Sequence, residues 1–361
     1  MALRTAEELA VSKTRWTQWF DGKLKKGPII YIDALLDKPR APLVAVKKPA
    51  SVEAQWTDLD YRMADLRNRF NSLWFGGDAV PAWFPNTGPG SMAACVGPWP
   101  TFMPESIWFN ELADNRLESI AGQMRFDAEN RFWKLIQELT RRAIEVSEGD
   151  FIVGLSDLGG DLDILASFRC EEKLMVDLIE KPEQVKKCRE ANGKLWFTYY
   201  DKQNELIKSM GQDGYTTWMP VWSDKPWSVY QCDASVMFSA AMFEEFVLPE
   251  LKEKSARMAH SIYHLDGPGE WQHLDLILSV PGISAIQYVS RPGDPPNEDP
   301  YWVTKYRKIA EAGKGLFIIG DNPDKFVELA NKMPAERLAF HIRSKSEAAG
   351  REFVARFDRK F

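Results

Sequence analysis

The chain has 361 residues, 45% of them hydrophobic, enough to bury a large core as one big domain or two average ones. Charged residues make up 27% and the net charge is −6, with no long block of one sign, which argues against nucleic acid and leaves a small molecule as the expected partner. The four cysteines, Cys95, Cys170, Cys188 and Cys232, show no CxxC spacing, so neither a disulfide framework nor a zinc ribbon is expected.

Residues 1–27 mix polar and apolar positions at helical spacing around Trp16 and Trp19 and contain no apolar core of signal-peptide length. No later stretch reaches about 18 apolar residues, so a cytoplasmic protein that does not span a membrane is expected. Gly27-Pro28 stops the helical pattern, and Ile29 to Asp33 follows as a buried-strand candidate. Segment 51–75 places Trp56, Leu59, Met63, Leu66 and Phe70 on one side and predicts an amphipathic helix. From Gly76 to Pro104 the chain is dense in Gly, Pro and aromatic residues, as in an ordered loop serving as a lid or pocket wall. Residues 114–148 predict a long helical stretch ending at Gly149.

A rhythm then sets in, with short apolar runs followed by helical segments. The runs are 151–155, 216–222, 230–233, 261–265, 285–289, 316–319 and 338–342. Strands alternating with helices imply parallel βαβ units, and no GxGxxG or GxxxxGK[ST] supports nucleotide binding. The expectation is an α/β fold: one TIM (β/α)8 barrel domain over 1–361, with an N-terminal helical extension over 1–27 and elaborated loops. A barrel uses about 250 residues, leaving on the order of 100 for that elaboration.

In a barrel, side chains at the carboxyl ends of the strands converge on one face. Here these are Asp157, Cys232 and Asp233, His264 and Asp266, Gln287, Asp321, and His341 with Arg343. His264 and Asp266 are the sharpest pair, since residues two apart on a strand share a side, and Gly267-Pro268-Gly269 then turns the chain. They suit a metal or a proton relay, although a locally satisfied histidine and a helix-capping Asp would read the same. His341, on the last strand candidate, is the expected third ligand of a His/Asp/His zinc site. Asp157 and Asp233 are candidate catalytic carboxylates; Asp157 read as a helix N-cap is equally consistent with its Gly-Gly-Asp context. The chain has 14 Trp, and Trp83, Trp218 and Trp222, with Gln287, are expected to line the substrate pocket.

The stretch Val153 to Leu165, the block Asp233-Ala234-Ser235 through Pro249, the turn Tyr263-His264-Leu265-Asp266-Gly267, and Gly313-Lys314-Gly315 resemble the uroporphyrinogen decarboxylase superfamily. The resemblance runs from about residue 70 to the end. It implies a TIM barrel, association as a homodimer, and one of two chemistries: cofactor-free decarboxylation, or zinc-dependent methyl transfer involving a corrinoid protein. The decarboxylase branch carries an arginine motif after the first strand, where this chain reads Tyr31-Ile32-Asp33-Ala34-Leu35-Leu36, so a substrate rich in carboxylates lacks its counter-charge. The methyltransferase branch carries His-x-Cys where this chain has His264-Leu265-Asp266, with a further Cys near the last strand, where His341 or Ser344 stands here. Asp and His are competent zinc ligands.

The reading is a zinc-dependent methyltransferase acting with a corrinoid protein on a small methoxyaryl or methylamine-type substrate, the cobalamin residing on the partner. The alternatives are a metal-independent decarboxylase or lyase acting on a smaller acidic substrate, and a non-catalytic ligand-binding barrel.

Overall fold

The computed structural model describes residues 2–358; Met1 and residues 359–361, the ends of the expected 1–361 domain, lie outside them. The strands are β1 (Ile29–Leu35), β2 (Leu73–Gly77), β3 (Ala82–Trp83), β4 (Thr101–Phe102), β5 (Ile107–Trp108), β6 (Ile152–Val153), β7 (Trp227–Tyr230), β8 (His260–Asp266), β9 (Ala285–Val289), β10 (Gly315–Gly320) and β11 (Leu338–Ser344). Seven of them form one sheet in the order β2-β1-β11-β10-β9-β8-β7. Every neighbouring pair is parallel except β1 with β2. The fold is therefore mixed α/β around a largely parallel sheet, with helices between successive strands.

The sheet ends at β2 and β7 and is not closed. The arc between those edges carries the separate parallel pair β3-β6 and isolated backbone bonds, from Gly154 N to Trp83 O (2.7 Å) and from Leu155 N to Thr216 O (3.1 Å). The run 216–222 forms no strand there, only an antiparallel bridge between Tyr215 and Ser223. Its threonines are the reason: Thr216 Oγ1 donates to Met219 O (3.2 Å) and Thr217 Oγ1 accepts from Met219 N (3.2 Å), drawing the chain into a local turn.

Successive side chains alternate between the two sheet faces. Ile30, Ile32, Leu265, Ile286, Ile318 and Phe340 pack into one cluster with the surrounding helices. Ile29, Tyr31, Ile262, Ala285, Phe317 and Ala339 form the other, which includes Trp16 and Trp19 of the N-terminal helix Ala6–Phe20. Both faces are covered, as expected where parallel strands read as near-continuous apolar runs.

Thr5 and Glu8 start the N-terminal helix with reciprocal capping bonds. Trp16 Nε1 donates to Asp78 O (3.0 Å), Trp19 Nε1 donates to Arg337 O (3.1 Å), and the Phe20 ring stacks on His260 at 4.3 Å. His260 is the first residue of β8 and Arg337 immediately precedes β11, so this helix covers the amino ends of the strands. The carboxyl ends are left for chemistry.

The predicted helix over 51–75 is interrupted. Asp58 ends Val52–Thr57 and caps Leu59–Ser72, and Leu73–Gly77 then becomes β2. Gly77 adopts φ +61°, and a Cβ there would lie 2.2 Å from Ile30 O, so the edge pairing requires glycine. The stretch 114–148 likewise divides into Leu117–Gln123 and Arg131–Ser147, the second capped by Asn130.

A buried ionic knot joins three helices. Lys254 Nζ donates to Asp161 Oδ1 (2.8 Å) and Glu250 Oε1 (2.6 Å), all three side chains 1% exposed, and Asn192 Nδ2 donates to Asp161 Oδ1 (3.1 Å). All four cysteines are free. Among the described residues no helix is long and apolar enough to cross a membrane.

Candidate metal centre

β8 delivers His264 and Asp266 to the carboxyl end of the sheet on one face, through the two-residue repeat of a strand. β9 places Gln287 opposite His264 in register. Gln287 Nε2 donates to Tyr288 O (3.2 Å), which turns the amide oxygen toward the imidazole, and His264 Nδ1 is hydrogen-bonded to that oxygen. The oxygen can only accept, so Nδ1 carries the proton and Nε2 is left for a metal. The Trp218 ring meets His264 edge-on, with centroids 5.2 Å apart.

Asp233 arrives from the loop after β7, at the head of the 3₁₀ turn Asp233–Met237. Asp163 holds that turn: Asp233 N donates to Asp163 Oδ2 (3.2 Å) and Ala234 N to Asp163 Oδ1 (3.1 Å). Asp233, His264 and Asp266 each offer one ligand atom within 4.8 Å of the others, the two carboxylates solvent-exposed and the imidazole half-buried. One nitrogen and two oxygens at that spacing fit a divalent cation of the zinc class.

Charge at the site is crowded. Although Asp233 is open to solvent on one side, the protein packed around its carboxyl, then the charges of Asp266 and Asp157, push it up to about 7. Burial and the Asp233 charge raise Asp163 to about 7, and burial raises Asp157 to about 7 against the opposing hydrogen bond from Gly159 N. Glu270 is raised to about 9 by burial, with a Ser235 hydrogen bond opposing and the charges of Asp233 and Asp163 adding. Burial lowers His264, against the Gln287 bond and Asp266. A cation among these groups relieves their mutual repulsion. Beside them lies a cleft of about 770 Å³ whose lining includes Asp163, Asp233, Trp108, Phe109 and Met237.

The other expected site residues are distributed differently. His341 is not part of the three-residue cluster; its Nε2 bonds Asp33 Oδ2 at 2.7 Å, and Tyr31 packs edge-on against its ring at 4.6 Å. Asp33 on the neighbouring strand engages the imidazole instead. Gln287, expected to touch substrate, is 1% exposed and stands behind His264 as its support. Trp222, also expected in the pocket, is buried in the core cluster below Lys13 of the N-terminal helix, so its place is structural. Trp83 is half-buried and lines a separate recess of about 290 Å³ with Arg62, Arg69 and Asn86. Asp157 accepts from Gly159 N (2.9 Å) within a local turn and does not cap the following helix, whose N-cap is Gly160, while its charge is felt at Asp233. Asp163, in the first turn of the helix Asp161–Arg169, and Glu270, in the 3₁₀ turn Pro268–His273, escaped the sequence reading, since acids at helix starts and in turns look like solvated polar residues.

No family model and no curated protein matches this sequence. Among solved structures, a methyltransferase from Methanosarcina mazei matches with a TM-score of 0.57 and 11% identity, over 96% of this chain and 98% of that one. The two chains share a fold. Nearly the whole of each takes part.

Proposed function

We propose that this protein is a metal-dependent methyltransferase of the uroporphyrinogen decarboxylase-like barrel type. Asp233, His264 and Asp266 hold one divalent cation, zinc first, and the cobalamin belongs to a corrinoid partner protein. The observation that carries this reading is the convergence of those three side chains, with the histidine tautomer fixed from behind by Gln287. The fold shared with a methyltransferase supports the reaction class. When bound, the cation supplies a Lewis acid that polarises the heteroatom giving or receiving the methyl group.

The chain's own residues do the remaining work. Burial keeps His264 neutral, Gln287 keeps it aimed, and Trp218 walls the imidazole from the side. Asp157, with its carboxyl raised to about 7 and its charge felt at Asp233, is the residue we assign to take or return the proton of the acceptor. Trp108 and Phe109 give the adjoining cleft an aromatic wall suited to a methoxyaryl or methylammonium group, the latter gaining about 0.5–2 kcal/mol per cation–π contact. The raised carboxyls also suit a metal-free lyase that moves protons. The same acidic crowd repels an anionic substrate, so methyl transfer is the better reading.

Elemental analysis of purified protein after zinc loading and dialysis tests this. About one equivalent is expected, lost in His264→Ala and in Asp233→Ala with the circular dichroism spectrum retained. A wild-type protein that retains no zinc, or a His264→Ala variant that retains all of it, overturns the proposal.

A further inference from the structure

We propose that Glu270 is a positioning residue that sets the separation of Asp233 from Asp266. This rests on the reading of those two carboxylates as metal ligands. They leave adjacent strands, since β7 and β8 pair up to Tyr230 with Tyr263, but beyond that register Asp233 heads the 3₁₀ turn Asp233–Met237, while Asp266 ends β8 just ahead of the 3₁₀ turn Pro268–His273 that carries Glu270. Glu270, 0% exposed, reaches between the turns. Ser235 Oγ donates to its Oε1 (3.0 Å) and Asp266 N donates to its Oε2 (3.2 Å).

Each carboxyl oxygen thus holds one ligand-bearing segment. A second tie runs beside the first: His273 Nε2 donates to Ser235 O (2.9 Å), with the ring stacked on Phe243 at 4.3 Å. Asp163 grips the Asp233 turn from its other side. Burying a carboxyl is costly unless both oxygens are bonded, and an apolar side chain at 270 would fill the space without that cost. What an apolar residue cannot do is fix two segments against each other to the roughly 0.5 Å that a ligand set demands.

The experiment is a cobalt(II) titration of the full chain, read by visible absorption and by competition with a chelator, with a thermal melt alongside. Glu270→Ala is expected to bind cobalt about 10–100-fold more weakly than wild type and to shift its absorption bands. Glu270→Gln, which keeps a carbonyl acceptor for Asp266 N, restores most of both. Ser235→Ala weakens binding to an intermediate degree. A Glu270→Ala protein that melts lower yet binds cobalt with wild-type affinity and spectrum overturns the inference, because only a structural role would then remain. If Glu270→Ala fails to fold, Ser235→Ala decides, and wild-type affinity and spectrum in that variant overturn it equally. Failure of the ligand reading itself is a separate result, visible in wild type alone as an absence of cobalt binding.

Discussion

At the level of single residues, the histidine is governed from behind. Gln287 cannot serve the tautomer if its amide is removed, so Gln287→Leu is expected to weaken zinc binding about 10–100-fold in a chelator competition; unaltered affinity would count against the fixed tautomer. The carboxyl groups predict a pH dependence. Asp157, Asp163 and Asp233 have folded-state values raised to about 7, so the folded state holds protons that the unfolded chain has released. Their contribution to stability is full at acidic pH and is lost as the pH rises through about 7. The metal-free protein should therefore melt at progressively lower temperature from pH about 5 to about 8, with a shallower slope in Asp157→Asn; a rising melting temperature would refute this. The pair His264 and Asp266 was legible as a two-residue repeat cut off by glycine and proline. That Asp233 joins them was not, because it depends on where a 3₁₀ turn throws a side chain across the neighbouring strand. His341 misled for a related reason, its partner Asp33 being on a strand some three hundred positions away in sequence.

Among the elements, those with both faces buried were the readable ones. β1, β8, β9, β10 and β11 stand where short apolar runs put them, since a parallel strand covered on both sides needs little else. The failures arose where a polar side chain competes with the backbone: Asp58 breaks a helix whose apolar stripe runs straight past it, and Thr216 with Thr217 folds a would-be strand into a turn. The N-terminal helix was expected from periodicity, but its role as the cover over the amino ends of the strands was not. Trp16, 0% exposed against Phe317, should cost about 3–5 kcal/mol in stability when changed to alanine, measured by denaturant unfolding, while the folded variant keeps wild-type zinc content. Loss of zinc from the folded Trp16→Ala protein would show that the two ends of the sheet are coupled.

For the molecule as a whole, Lys254 is the internal fastening. Lys254→Met leaves Asp161 and Glu250 buried without their cation and is expected to cost about 3–5 kcal/mol, whereas replacing all three by apolar residues of similar volume should cost much less; equal losses would refute the ionic account. Sequence reading had no means of joining Asp161, on a separate helix, to Glu250 and Lys254, which share one. The open sheet has a further consequence. His264, Asp266 and Gln287 stand on strands laddered on both sides, while Trp218 belongs to the arc held by scattered bonds and Trp108 to the separate two-stranded pair β4-β5, which Phe109 follows. Reactivity and recognition are thereby assigned to different mechanical regimes: a mutational library confined to the arc and that pair can re-tailor what enters the cleft while the ion-holding strands stay untouched, and amide exchange should mark the boundary between the two, slow along β8 to β11 and faster in the short pair β3-β6 and in residues 215–223.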